Sequence, residues 1–390
     1  MHKSIYLLSI GMFALGLDAY VMAGLLPGIA NSYEVSISSA GMTVAIFTVF
    51  YALSAPIFAT MLAGRPARSV LSIALLIFTI ANIGTALAPT FEWLLAMRAL
   101  AGAGAGLYSP LAAASAASLA GKGRQGSVLG FILGGMSLGT VIGVPLGLTI
   151  AQHIGWQGVL WIVAGLGAIA LGGIQSFFPA ITPAAPPSMR ERLTMLRDGH
   201  VLKIVTITFL IAVASLGLYT YVTPILSDAS MSSHLTLFMM AWGLGGIIGS
   251  FSIGRVVDRV KNKQQIIAVI AVALFVVFGM LPFSLDRGMV ALVPFFLWGL
   301  LGWASQAPQQ HSLLAAHPKH GPAAVALNSS ANYLGSATGA FLGGTLLQAG
   351  GTPHALSIAA AGTVAVAFAI HWILPSHAAR MDHAVEEACP

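Results

Sequence analysis

Charged side chains are scarce in this 390-residue chain. Asp, Glu, Lys and Arg together make up 7% of it, whereas hydrophobic residues make up 57%. Soluble domains carry about 25% charged residues, so this chain has too few charges to cover a surface that faces water. We therefore predict that most of the chain lies in a lipid bilayer.

Cysteine is almost absent as well. The single cysteine, Cys389, precedes the last residue, which excludes a disulfide framework and a cysteine metal site. The sequence has no GxxxxGK[ST] phosphate loop, which argues against ATP-driven pumping. It has no cluster of His, Cys and acidic residues at metal-ligand spacing, and its serines lack a base in helical register. We expect no enzyme activity, no cofactor and no metal ion.

Long apolar segments fill the sequence instead. A helix needs about 20 mostly apolar residues to cross a bilayer. Twelve segments meet this condition: 4–29, 39–62, 70–88, 91–119, 127–152, 157–178, 201–226, 234–257, 265–283, 289–315, 322–348 and 354–376. We predict an all-α membrane protein with twelve transmembrane helices in two pseudo-symmetric six-helix bundles. The predicted parts are an N-terminal bundle (1–178), a cytoplasmic linker (179–200), a C-terminal bundle (201–376) and a cytoplasmic tail (377–390).

The basic residues predict the orientation. If the N-terminus is cytoplasmic, every Lys and Arg falls on the inner side except Arg98, inside a span, and Arg287, outside. Cytoplasmic loops of membrane proteins carry such an excess of positive charge. We therefore predict that both termini are cytoplasmic. The net charge of +6 then reflects topology, and we expect no nucleic-acid partner.

Asp18 is the only one of the 11 acidic residues that falls deep inside a predicted span, since Glu92 lies at the outer end of span 4. An ionised carboxylate at that depth is costly and usually faces a cavity or a partner. Burial favours its protonated form and a nearby cation its ionised form, and a carboxyl balanced between them exchanges protons near neutral pH. We predict that Asp18 carries the proton and that Arg98, in span 4, is its partner. A purely structural role is the alternative for both residues.

The C-terminal half offers amides and aromatic rings rather than charges. These groups suit a neutral, partly polar, ring-containing ligand, through hydrogen bonds and stacking. The predicted substrate-binding residues are Tyr219, Tyr221, Gln306, Gln309, Gln310, Asn328 and Asn332. Hydrogen bonding between helices is the alternative for the amides, and anchoring at the lipid interface is the alternative for Trp242, Trp298 and Trp303.

Glycine recurs at every fourth position in two spans. Span 5 has Gly135, Gly139, Gly143 and Gly147, and span 11 has Gly335, Gly339 and Gly343. This spacing places small residues on one helix face, where another helix can approach closely. Loops GRPAR (64–68) and GRVVDR (254–259) are offset by about half the chain, which supports two repeated halves.

Several segments together resemble the major facilitator superfamily, in its drug:proton antiporter branch. RALAGAGAG, which begins at Arg98, resembles the arginine–glycine motif of that branch, and GTVIGVPLG is similar to its antiporter motif. GRVVDR is similar to the gating-loop motif. The corresponding loop of the N-terminal half, GRPAR, lacks the aspartate of that motif. The corresponding predicted gating or structural residues are Gly139, Gly143, Pro145, Gly147, Gly254, Asp258 and Arg259.

Within that branch, GLLPGIA in span 1 and WGLLGWASQAPQQ in span 10 most resemble bacterial purine-nucleoside and sugar efflux permeases, and chloramphenicol exporters look similar. The resemblance implies proton-coupled efflux of a small, neutral or amphipathic organic molecule by alternating access. It also implies a monomer in the bacterial inner membrane whose partners are substrate, protons and lipid. The alternatives are a proton-driven importer or facilitator of the same solute class, a non-transporting receptor and an intramembrane enzyme.

Overall fold

The computed structural model describes residues 3–62, 65–120, 124–182, 188–260, 263–317 and 321–373. Within these ranges the regular elements are all helices. The α-helices are α1 Lys3–Ser32, α2 Ile37–Met61, α3 Ala67–Ala86, α4 Phe91–Leu119, α5 Gln125–Leu138, α6 Val144–Phe177, α7 Met189–Met195, α8 Gly199–Thr220, α9 Val222–Asp228, α10 Leu235–Arg259, α11 Lys263–Leu285, α12 Leu292–Ala304, α13 Gln306–Ala316, α14 Gly321–Gln348 and α15 Pro353–Ile373. The predicted tail (377–390), Gly64 and residues 183–187 of the linker lie outside the described residues.

The helices provide twelve crossings. Nine segments of the described chain are long and apolar enough to span a bilayer. One of them, Ser127–Phe177, has 51 residues, or about 75 Å of helix, which is enough for two crossings. Helices α4 and α14 add the remaining two, because their 29 and 28 residues are long enough although many of these are small or polar. The predicted all-α fold with twelve transmembrane helices is confirmed.

The chain reverses direction at Gly155, between the two crossings of the Ser127–Phe177 segment. Gly155 has φ 76° and ψ 171°, outside the helical region, and a positive φ strongly favours glycine. Before this residue, Gly147 packs on Val21 of α1; after it, Gly173 packs on Leu7, near the start of α1. Span 6 therefore returns toward the end of the bundle where α1 begins.

Glycines bring α1 and span 5 into backbone contact. A side chain on Gly139 would overlap the carbonyl oxygen of Phe13, and one on Gly135 would overlap Ser9. Between α5 and α6, residues Gly139–Gly143 form one turn of π-helix, a local widening that is often found at functional sites. The predicted glycine face is therefore the face that packs on α1.

The C-terminal half repeats this contact. A side chain on Gly335 would overlap the Phe209 carbonyl oxygen, and one on Gly339 would overlap that of Val213. Helix α14 therefore packs on α8 as span 5 packs on α1. Helix α2 also contacts α14, which joins the two halves of the chain. The residue boundaries predicted for the two bundles stay a prediction.

Hydrogen bonds define several helix ends. The Ser36 hydroxyl accepts from the Ser39 amide at the start of α2, and the Thr90 hydroxyl accepts from the Trp93 amide at the start of α4. Asp198 caps α8 in the same way. These side chains satisfy amide groups that have no partner in the first turn of a helix.

Replacing Gly139 with alanine tests the close approach of span 5 to α1. The new methyl group has no room beside the Phe13 carbonyl, and overpacking of this kind costs about 1–3 kcal/mol. We expect a lower midpoint of thermal unfolding for purified Gly139→Ala. Gly165→Ala on α6 is the control, because a side chain there meets nothing and alanine favours a helix. Equal midpoints for the two variants would contradict the packing described here.

Candidate functional site

Asp18 and Arg98 form an ion pair in the interior of the N-terminal half. Arg98 Nη1 donates to Asp18 Oδ1 at 2.7 Å, and both side chains have 0% exposure. The two residues are 80 positions apart in the chain, and the packing of α1 near α4 brings them together. A buried charge is strongly destabilising unless it is paired, so each of these residues depends on the other.

Helices α2 and α3 complete the surroundings of the pair. Arg98 Nε donates to the Thr43 carbonyl at 3.4 Å, and the guanidinium carbon lies 4.3 Å from the centroid of the Phe47 ring. Such a cation–π contact stabilises a desolvated arginine. Asn82 of α3 lies beside the Asp18 carboxylate. Four helices therefore fix the position of the pair.

The pair is held by one hydrogen bond rather than two. Asp18 Oδ2 and Arg98 Nη2 are both buried and have no well-formed hydrogen bond within the described residues. Arginine and carboxylate can form two parallel hydrogen bonds; the geometry here uses one of them, and Asn82 is a further polar neighbour of the carboxylate.

A cavity of about 390 Å³ lies between the two halves of the chain. Helices α1, α5, α8, α10, α12, α13 and α14 contribute to its wall. Most of the lining is apolar, with a small number of polar groups, as is typical of small-molecule sites. The polar and aromatic lining residues are Tyr20, Ser137, Ser215, Ser250, Phe251, Trp303, Ser305, Gln306 and Asn332.

The halves contact each other at the end of the bundle where α1 ends and α2 begins. The Ser38 hydroxyl donates to the Gly344 carbonyl at 2.5 Å, and the Thr223 hydroxyl donates to the Ala23 carbonyl at 2.8 Å. The cavity instead reaches residues such as Gly130, near the start of α5, and Phe251, near the end of α10. It therefore extends from the middle of the bundle toward the end where α1 begins.

Two of the predicted substrate-binding amides line this cavity. Gln306 Nε2 donates to Asn332 Oδ1 at 2.9 Å, and both side chains are half-buried. Gln309 and Asn328 lie in a separate, fully buried cluster, where the Thr208 hydroxyl is 2.5 Å from Gln309 Oε1 and 2.6 Å from Asn328 Oδ1. The four amides thus divide into a pair at the cavity and a pair that joins α8, α13 and α14.

The other predicted substrate-binding residues lie outside the lining. Gln310 is half-buried on α13, and Tyr221 is fully buried, with its hydroxyl donating to the Ala340 carbonyl at 2.5 Å. Tyr219 stacks on Trp242 with ring centroids 4.3 Å apart, and Trp242 in turn lies 6.0 Å from Trp303 at the cavity. Tyr219 also packs edge-on against the cavity residue Tyr20, with ring centroids 5.7 Å apart, so it lies directly behind the rings of the cavity wall.

Sequence reasoning missed Tyr20, which lines the cavity. Its ring lies 6.1 Å from that of Trp303, and it follows Asp18 by two positions on α1. This spacing turns the two side chains to different sides of the helix. Asp18 therefore faces the core of the N-terminal half while Tyr20 faces the cavity, and their proximity in sequence was the available signal.

The motif residues fall into two groups. Gly139 and Gly143 bound the π-turn, Pro145 lies in the first turn of α6, and Gly147 packs on α1. The second group, Gly254, Asp258 and Arg259, is exposed at the end of α10. Within the described residues, no three His, Cys, Asp or Glu side chains are grouped closely enough to hold a metal ion.

Residues 8–321 match the family model of the Major Facilitator Superfamily. The chain belongs to this superfamily. It is 30% identical over 345 residues to the inner membrane transport protein YdhP of Escherichia coli K12, with 88% of each chain covered. It is also 29% identical to a chloramphenicol resistance protein of Streptomyces lividans, over 77% of this chain and 78% of that one.

The fold agrees with this membership. A bacterial homologue of the human lysosomal transporter Spinster, solved in an inward-facing and unoccupied conformation, superimposes with a TM-score of 0.75 over 95% of this chain and 96% of that chain, at 15% identity. This likeness concerns the fold alone. The superfamily consists of transporters of small molecules, so the chain is a membrane transporter and not an enzyme.

Neutralising one member of the ion pair tests how strongly the pair is coupled. Arg98→Gln leaves Asp18 buried without its cation, and loss of one partner of a buried pair costs about 3–5 kcal/mol. We expect a large fall in the thermal unfolding midpoint for Arg98→Gln and for Asp18→Asn alone. The double variant Asp18→Asn/Arg98→Gln removes both charges and is expected to recover much of the loss. Additive losses in the double variant would show that the two side chains are not coupled.

Proposed function

We propose that this chain exports a small, neutral or amphipathic organic molecule in exchange for protons. The observation that supports the proposal is the Asp18–Arg98 pair, a fully buried ion pair whose carboxylate is two positions before Tyr20 of the cavity wall on α1. An intramembrane carboxylate beside a fixed cation is a typical proton site in transporters. Arginine stays protonated, so in this proposal Asp18 is the group that gains and loses the proton.

Helix α1 connects the proton site with the cavity. When Asp18 takes up a proton, its attraction for Arg98 weakens, and among the described residues the Thr43 carbonyl and the Phe47 ring remain as partners of the guanidinium. The favoured arrangement of α1 relative to α2 and α4 then changes. Tyr20 lies on the same turn of α1 and at the cavity wall, so the change reaches the substrate site directly.

Alternating access provides the transport step. Under the orientation predicted from the basic residues, the end of the bundle where α1 begins is cytoplasmic, and the cavity extends toward that side. In the proposed cycle, substrate enters from the cytoplasm while Asp18 is ionised. Protonation from the outside favours release, and the proton then leaves inward. The contacts of Ser38 and Thr223 across the halves must break when the cavity opens outward.

One proton per cycle is sufficient for useful pumping. Moving one charge through 100 mV is worth about 2.3 kcal/mol, so a driving force of roughly 150 mV supplies about 3.5 kcal/mol. At about 1.4 kcal/mol per factor of ten, this supports a gradient of a few hundredfold for a neutral solute. A single carboxylate is therefore enough for the proposed function.

We place the protein in the bacterial inner membrane as a monomer with both termini cytoplasmic. The printed name of the Escherichia coli relative includes an inner-membrane location, and that of the Streptomyces relative includes chloramphenicol resistance. These names support export of antibiotics or similar solutes as the biological setting. Proton-driven import of the same solutes is the second candidate, and the direction of transport in the following experiment decides between the two.

Asp18→Asn is the central test of proton coupling. The purified protein is first screened for stabilisation by phenicols, nucleosides, sugars and cationic drugs, and the compound that stabilises it most is used for transport in proteoliposomes with an imposed pH gradient. We expect Asp18→Asn to lose uphill transport and to retain downhill exchange. For the wild type, ligand stabilisation should weaken on acidification if proton and substrate compete.

The double variant Asp18→Asn/Arg98→Gln separates coupling from stability. If the pair is only structural, this variant folds and regains uphill transport; if Asp18 carries the proton, it folds and still transports only downhill. Glu92→Gln, in the first turn of α4 and outside the pair, is the control for loss of a carboxylate. Uphill transport that persists unchanged in Asp18→Asn would refute the proton role.

A further inference from the structure

The wall of the central cavity carries no charged side chain among the described residues. Its polar groups are serine hydroxyls, two amides, a phenol and an indole. Asp18 and Arg98 are fully buried outside the wall and neutralise each other. A charged ligand would give up hydration in this cavity without meeting an opposite charge, which is costly. The cavity therefore favours an uncharged ligand.

Trp303 gives the cavity a flat and rigid wall. A Cβ added to Gly246 of α10 would lie 3.1–3.2 Å from three atoms of the Trp303 indole, so the ring lies flat over this glycine. The Tyr20 ring is 6.1 Å away and the Trp242 ring 6.0 Å away. These contacts fix the indole while part of it remains at the cavity surface. A fixed aromatic ring favours a planar partner that can stack on it.

The Gln306–Asn332 pair sits in the same wall and has unused hydrogen-bonding capacity. An amide has one carbonyl acceptor and two N–H donors, and the pair uses one donor and one acceptor in its mutual bond at 2.9 Å. Whichever way the two amides are turned, the pair keeps a carbonyl acceptor and N–H donors for another molecule. The complementary ligand group has a donor and an acceptor side by side, as in a lactam, a urea or a cis amide.

We propose that the cavity binds an uncharged, planar heterocycle with a lactam-like edge, which stacks on Trp303 and is recognised by the paired amides of Gln306 and Asn332. This inference rests on the proposed function only in taking the cavity as the substrate site. It concerns equilibrium binding and requires neither a proton gradient nor a direction of transport.

Four matched probes separate the features of this ligand. 2-Quinolone is planar and uncharged and has the lactam edge. N-methyl-2-quinolone lacks the N–H donor, and octahydro-2-quinolone lacks the flat ring. 1-Methylquinolinium carries a positive charge and lacks the lactam, so N-methyl-2-quinolone is its reference for the effect of charge. Binding is measured by equilibrium dialysis against the purified full-length protein in lipid nanodiscs at neutral pH. We expect 2-quinolone to bind tightest and each of the other three about threefold to tenfold more weakly, because a neutral hydrogen bond or a stacking contact contributes a factor of this size.

Two variants assign the features to residues. Gln306→Leu is expected to abolish the preference for 2-quinolone over its N-methyl derivative and to keep the preference for a flat ring. Trp303→Leu is expected to abolish the preference for 2-quinolone over its octahydro derivative and to keep the N–H preference. Gln348→Leu and Trp372→Leu, at exposed positions outside the lining, are the matched controls and should keep both preferences.

The outcomes for this inference and for proton coupling are distinguishable. Three results would overturn the ligand class, even if proton-driven efflux of another compound is intact. They are binding of 1-methylquinolinium that equals or exceeds that of 2-quinolone, no binding of any lactam, and unchanged preferences in both variants. Conversely, the expected preferences together with transport that ignores the pH gradient would support the ligand class and overturn the proposed coupling.

Discussion

The bilayer provides no water to the groups that the helices carry into it, and this constraint governs the structure. Many hydroxyl groups in the spans donate to carbonyls of the preceding turn or of a neighbouring helix, as Tyr108 does to the Leu8 carbonyl. The most demanding group is the Asp18 carboxylate, because its charge needs a cation inside the same low-dielectric interior. Arg98 supplies this cation, and four helices must pack correctly to hold the two together.

Close packing of this kind depends on small residues at the helix contacts. Between two helices in lipid, attraction comes largely from van der Waals contact and hydrogen bonds, and glycine allows backbones to approach. The same contact occurs between α1 and span 5 and between α8 and α14. These repeated contacts hold each half together as a unit. Under the proposed function, the halves change their mutual contacts, such as that of Ser38 with Gly344, and keep their own packing.

The two halves share a scaffold and differ in chemistry. The N-terminal half has the ion pair, and the C-terminal half contributes Trp303, Gln306 and Asn332 to the cavity. Tyr20 belongs to the helix that carries Asp18 and meets the ring of Trp303 at the cavity. Under the proposed function, this contact is where proton binding and substrate binding influence each other. The lost aspartate of the GRPAR loop is a further difference between the halves, for which the structure offers no physical account.

Four features were predictable from the amino-acid sequence: the membrane fold, the twelve crossings, the glycine contact faces and the one carboxylate that needs a buried partner. These follow from composition and local spacing, because lipid constrains every residue along a span in the same way. The polar groups that face the cavity, by contrast, could be identified only from the packing of the helices. Asn328 and Asn332 share a helix face, yet one turn along α14 separates the buried cluster with Thr208 from the cavity wall. The depth and rotation of α14 relative to its neighbours determine which of the two asparagines lies at the cavity. The local sequence does not specify this depth and rotation.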